Sequence, residues 1–76
     1  MNQFNRITFD PNVMGGRACI RGLRITVSLI LNLVANKMTA AEIVKEYPYI
    51  EEADVIQCLQ YGAWLADETV QILEPA

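Results

Sequence analysis

Four arginines stand at positions 6, 17, 21 and 24 of this 76-residue chain, with none beyond, and they are its side chains best suited to binding chemistry. A guanidinium is a planar fork that matches phosphate or carboxylate through paired N–H bonds. Lys37 joins them against a single acid, Asp10, so residues 1–37 carry a net charge of +4. Residues 38–76 reverse the sign, with Lys45 against eight acids for a net of −7. The overall charge of −3 conceals this split between a half suited to anions and a half suited to cations. Arg17, Arg21 and Arg24, all in the N-terminal β region, are therefore the candidate nucleic-acid contacts. The alternative is that they are solvated or paired with acids, and a calculated pI near 4.6 argues against tight nonspecific binding to DNA.

Trp64 is the second feature able to carry recognition. Helical spacing sets it among Gln57, Gln60 and Gln71, a stripe that could dock a protein, since Trp is enriched at interface hot spots. The competing reading packs Trp64 over Tyr47 or the N-terminal strand, or into a dimer seam. Catalysis finds no comparable set. The chain has no histidine, no nucleophile beside a base, and no glycine-rich loop leading into a helix with lysine. Glu51, Glu52 and Asp54 could ligate a hard cation, but acids at a helix start are ordinarily solvated caps. No enzyme activity, metal or cofactor is expected.

Short β segments must position the arginines. Ile7 and Phe9 alternate with Arg6 and Thr8, which predicts a strand over residues 4–9. Asp10-Pro11-Asn12 reads as a turn, and Gly15-Gly16 as a second flexible point. Arg17 to Ile25 alternates again, with Ala18 and Ile20 on one side and Arg17, Cys19 and Arg21 on the other. Gly22 makes Arg21-Gly22 the expected hairpin tip.

Three helices follow. Thr26 is a good N-cap for a helix from Val27 to about Asn36. Only Ser28, Asn32 and Asn36 interrupt its apolar surface, so it is expected to be buried on most sides and to form a dimer core. Thr39 and Glu42 fit a capping box for a second helix, about Ala40 to Glu46, ended by Pro48. The third runs from about Glu52 to Leu73. Its expected core stripe is Val55, Ile56, Leu59, Ala63, Ala66 and Val70, with Gly62 allowing close helix contact and Cys58, Tyr61, Leu65 and Ile72 forming a second strip. The second and third helices have the outline of a helix-turn-helix. The start of the third holds Glu51, Glu52, Asp54 and Gln57, however, and carboxylates there would repel the phosphates flanking a DNA groove. A helical hairpin used only for packing is the plainer reading.

Residues 1–76 make one domain, a β extension over 1–25 and a three-helix unit over 26–76. A chain this short buries only about 60% of its unfolded surface, so a second subunit is a natural source of stability. The apolar fraction of 53% points the same way, to a homodimer. Cys19 and Cys58 lack paired spacing and suit a reducing cytoplasm. No signal-like segment opens the sequence, and no apolar run approaches the roughly 20 residues needed to span a bilayer.

Gly16-Arg17-Ala18-Cys19-Ile20-Arg21-Gly22-Leu23-Arg24-Ile25-Thr26-Val27, followed by Met38-Thr39-Ala40-Ala41-Glu42-Ile43 and Tyr47-Pro48, resembles the small prokaryotic proteins of the domain-of-unknown-function 433 family. Their pattern is an Ile-x-Gly-x-Arg-Ile turn, a Met-Thr-x-x-Glu-Ile helix, a Tyr-Pro stop and a long last helix. The resemblance spans about residues 6–66. It implies a mainly α, homeodomain-like three-helix fold with a short β addition, dimerisation, and for some members an antitoxin role against PIN-type ribonuclease toxins. Ile20, Gly22, Arg24 and Ile25 carry over as motif positions. Ala18 stands where the family often has proline, and Glu51 where it has a Thr or Ser cap, which makes the last helix start more acidic. The combined expectation is a cytoplasmic, dimeric, antitoxin-like module, its arginines for operator DNA and its acidic helices for a basic toxin. The alternative is a homo-oligomerisation module without nucleic-acid binding.

Overall fold

The computed structural model describes residues 3–73, with side chains through Asp67. A small antiparallel hairpin packs against three helices, so the fold is mainly helical with a short β addition. Strand β1 (Ile7–Phe9) pairs with β2 (Ala18–Ile20) in the register Ile7 with Ile20, Thr8 with Cys19 and Phe9 with Ala18. The connection starts as an Asx turn, the Asn12 amide donating to Asp10 Oδ1 at 2.9 Å, and continues through a 3₁₀ turn at Met14–Gly16.

Strand β1 is shorter than the alternation over 4–9 predicts. Residues before it form a turn closed by the Ile7 amide on the Phe4 carbonyl at 3.1 Å, which lets Phe4 bury against Tyr61 and Trp64. Phe9, expected on the same side of the strand as Ile7, is 60% exposed at the strand's end. Strand β2 also departs from simple alternation, because Cys19 and Ile20 are both buried. One face of β2 meets the helices. Beyond the hairpin tip the chain returns along the edge of β2 that β1 does not pair, where the Ile20 amide donates to the Ile25 carbonyl and Cys19 bridges to Thr26.

The expected hairpin tip is present. The Leu23 amide donates to the Ile20 carbonyl at 2.7 Å, and Arg21 and Gly22 have φ of 45° and 74°. Two successive left-handed residues make a type I′ turn, whose twist matches that of its flanking segments. Glycine accepts that geometry readily; arginine does not, at about 1 kcal/mol or more.

Helix α1 (Val27–Ala35) starts at Thr26, whose hydroxyl accepts from the Leu29 amide at 3.0 Å. Val27 and Ile30 are buried, and Leu31, Leu33 and Val34 are half-buried against the core of the same chain. Helix α2 (Ala40–Glu46) has both halves of the capping box: the Glu42 amide donates to Thr39 Oγ1, and the Thr39 amide to Glu42 Oε1. Helix α3 (Glu52–Leu73) crosses α1 at Gly62, where an added Cβ would stand 3.3 Å from a Leu31 methyl.

The rotation of α3 corrects the expected core stripe. Asp54, Val55 and Cys58 face inward, while Ile56, Leu59, Ala63 and Ala66 face outward. Both sides of this helix are apolar enough to serve as a core, so periodicity could not choose. Contacts outside the helix choose: Asp54 is held by arginines of the hairpin, and Phe4 packs on Tyr61 and Trp64. Val70, Ile72 and Gln71 lie beyond the described side chains.

Candidate functional site

The hairpin and the start of α3 meet in a charged cluster around Asp54, whose side chain is 0% exposed. Arg6, just before β1, donates from Nη1 to Asp54 Oδ1 at 2.9 Å and to Glu51 Oε1 at 2.8 Å. Arg21, at the hairpin tip, donates from Nε to Oδ1 at 3.1 Å and from Nη2 to Oδ2 at 2.9 Å, a two-point grip. The Glu51 amide donates to Oδ2 at 2.8 Å. Each carboxylate oxygen thus accepts two hydrogen bonds, leaving no lone pair for a metal ion. The Glu51 bond is also one half of a capping box, with Asp54 at the third position of α3.

Burial alone pushes the Asp54 carboxyl up. The hydrogen bonds from Arg21, the Glu51 amide and Arg6 outweigh it, and the group sits at about 2 against an ordinary 3.8. Asp54 is therefore an anion at any physiological pH. One turn along α3, burial first and the Asp54 charge second push the Cys58 thiol up to about 12. It stays protonated, unlike the thiolate a cysteine nucleophile needs.

The two charged halves of the sequence are therefore partly joined. Arg21, read as a nucleic-acid contact, has its fork on Asp54, and Nη2 also donates to the Tyr49 carbonyl at 2.7 Å. Arg17 and Arg24 are exposed, and the ion pairs among the described residues involve only Arg6 and Arg21. Glu51 and Asp54, read as a helix start that would repel phosphate, instead hold the hairpin.

The glutamine and tryptophan stripe divides likewise. Gln57 Oε1 accepts from the Arg6 amide, and its Nε2 donates to Asn5 Oδ1 at 3.1 Å, so it joins α3 to the N-terminal segment. Trp64 is half-buried, 5.7 Å from Phe4 and 6.1 Å from Tyr61 between ring centroids. Gln60 is exposed. Among the described residues, no three His, Cys, Asp or Glu side chains could hold a metal ion, and no helix is long and apolar enough to cross a membrane.

Sequence reasoning singled out Asp54 as a helix-start acid but missed its role as the buried anchor of Arg6 and Arg21. Its signal was present: an acid three places after the residue ahead of a helix is where a side chain reaches back to the first free amide.

The family model described as a protein of unknown function, DUF433, matches residues 7–62. The chain belongs to the DUF433 family. The DUF433 match runs from the first residue of β1 to the glycine where α3 crosses α1, so it includes Arg21, Glu51, Asp54, Gln57 and Gln60 and ends before Trp64. No curated protein and no solved structure matches the chain.

Proposed function

We propose that this DUF433 protein is a cytoplasmic, dimeric, antitoxin-like binding module rather than an enzyme, with α3 as its protein-facing element. One observation carries the reading. On the outer face of α3, Ile56 is 51% exposed and Leu59 is 41% exposed, an apolar pair at i, i+3 that the rest of the fold leaves uncovered. Exposed Glu52 and Gln60 lie alongside. An apolar strip edged by acid suits a basic protein surface, and surfaces that bind RNA tend to be basic. Arg17 and Arg24, exposed and outside the Asp54 cluster, are the arginines left for operator DNA. Two free, buried cysteines suit a reducing compartment.

The test is co-purification with a PIN-type protein encoded beside this one, alongside a DNA shift assay on the upstream sequence. Ile56→Glu with Leu59→Glu should abolish protein capture. Arg17→Ala with Arg24→Ala should weaken DNA binding and flatten its salt dependence. Full capture by the α3 variant overturns the reading.

A second reading has its own support. Arg6 and Arg21 are paired with acids of the same chain, which leaves Arg17, Arg24, Lys37 and Lys45 as the cations outside the described ion pairs and favours homo-oligomerisation without nucleic acid. Under it, the α3 variant becomes a monomer in sedimentation, while the arginine variant changes nothing that can be measured with DNA.

A further inference from the structure

Outside the Asp54 cluster, none of whose residues lines it, β1, β2, α1 and α3 border an open groove of about 550 Å³. That volume lies within the range of small-molecule sites. Its floor and walls are apolar, formed by Phe9, Ala18, Val27, Leu31, Tyr61 and Leu65. Phe9 and Leu65 are 60% and 42% exposed, so the fold itself leaves these walls in contact with water.

The polar groups at the rim are unequal. The Thr26 hydroxyl accepts from the Leu29 amide as the cap of α1, and the Asn32 amide donates to the Ser28 carbonyl at 2.9 Å. Among the described residues Arg17 is the one charged side chain lining the groove, and it has no ion pair there. A guanidinium on the edge of an apolar trough matches a carboxylate joined to an apolar body. A second copy of the chain fits less well. Pairing the groove with its own copy about a twofold axis would set two arginine-rimmed apolar troughs face to face, with no acid among the described lining residues to offset them.

We infer that this groove binds a small amphipathic carboxylate, its head on Arg17 and its chain or ring along Val27, Leu31 and Leu65. The site is separate from the outer face of α3 assigned above to a protein partner; it shares Arg17 with the proposed DNA contacts but rests on neither assignment.

Decanoate, decyltrimethylammonium and acetate test it, each below micelle-forming concentration and followed by amide chemical shifts. Decanoate should bind saturably with one site per chain, moving resonances of Arg17, Ser28 and Leu31. Acetate and the cationic amphiphile should bind at least tenfold more weakly. Arg17→Gln should weaken decanoate about tenfold or more, while Arg24→Gln should leave it unchanged, with both variants checked for an unaltered thermal unfolding curve. Equal binding of the anionic and cationic amphiphiles overturns the proposal. So does loss of binding on raising protein concentration with the same resonances shifting, since that result means a second copy covers the groove.

Discussion

Replacing Asp54 with Asn would leave the guanidinium groups of Arg6 and Arg21 converging on a neutral amide in a buried position. Removing one member of such a cluster is among the more damaging single changes, and about 3 kcal/mol of stability should go in urea unfolding. The pH dependence has a definite sign. Asp54 sits at about 2 in the folded chain against an ordinary 3.8, so it prefers the folded state when ionised. Its contribution, about 2 kcal/mol, is fully present above the ordinary value and is lost as pH falls through the folded one. The stability gap between the parent protein and Asp54→Asn should therefore narrow between about pH 5 and pH 2. Arg21 adds a backbone argument. At φ 45° it is strained, and both Arg21→Ala and Arg21→Gly lose the grip on Asp54. Only glycine is at ease there, so the glycine variant should be the more stable by about 1 kcal/mol. The turn was legible from Gly22. That its neighbour's side chain reaches a carboxylate 33 residues away was not, because nothing local encodes such a contact.

At the scale of elements, helix ends were the most legible features. Thr26, Thr39 with Glu42, and Pro48 act through hydrogen bonds or ring geometry within a few residues of themselves, so sequence alone locates them. Strand lengths and helix rotation were less so, being settled by what packs from elsewhere: Phe4 shortens β1, and Asp54 turns α3 so that Ile56 and Leu59 face outward. The α1–α3 crossing can be tested at Gly62. Alanine there would press a Leu31 methyl at 3.3 Å, a flexible chain bordering the open groove, while gaining helix propensity. Gly62→Ala should thus stay within about 1 kcal/mol of the parent, whereas Gly62→Val, with bulk to separate the helices, should cost about 2 kcal/mol or more by thermal unfolding.

For the whole molecule, the charge split in the sequence survives only in part, since Arg6 and Arg21 cross to the acidic side and Arg17 and Arg24 do not. Linear charge counts carry no information about which ions meet in three dimensions. The apolar fraction of 53% was a better guide, because some of it does remain outside, on α3 and around the groove. Ile56→Glu with Leu59→Glu separates folding from association. Both sites are exposed, so far-ultraviolet circular dichroism should be unchanged and stability of the isolated chain should move by less than about 1 kcal/mol, while capture of the protein partner is lost or, on the second reading, self-association in sedimentation.

Arg6 precedes the hairpin and Arg21 sits at its tip, yet both are moored to one anion at the beginning of the last helix. A single fastening of this kind cannot release one end of the hairpin gradually. Hydrogen exchange should find the Arg21 amide, bonded to the Arg6 carbonyl, and the Glu51 amide, bonded to Asp54, opening in concert and responding equally to denaturant. The hairpin would then undock from the helices as one cooperative body.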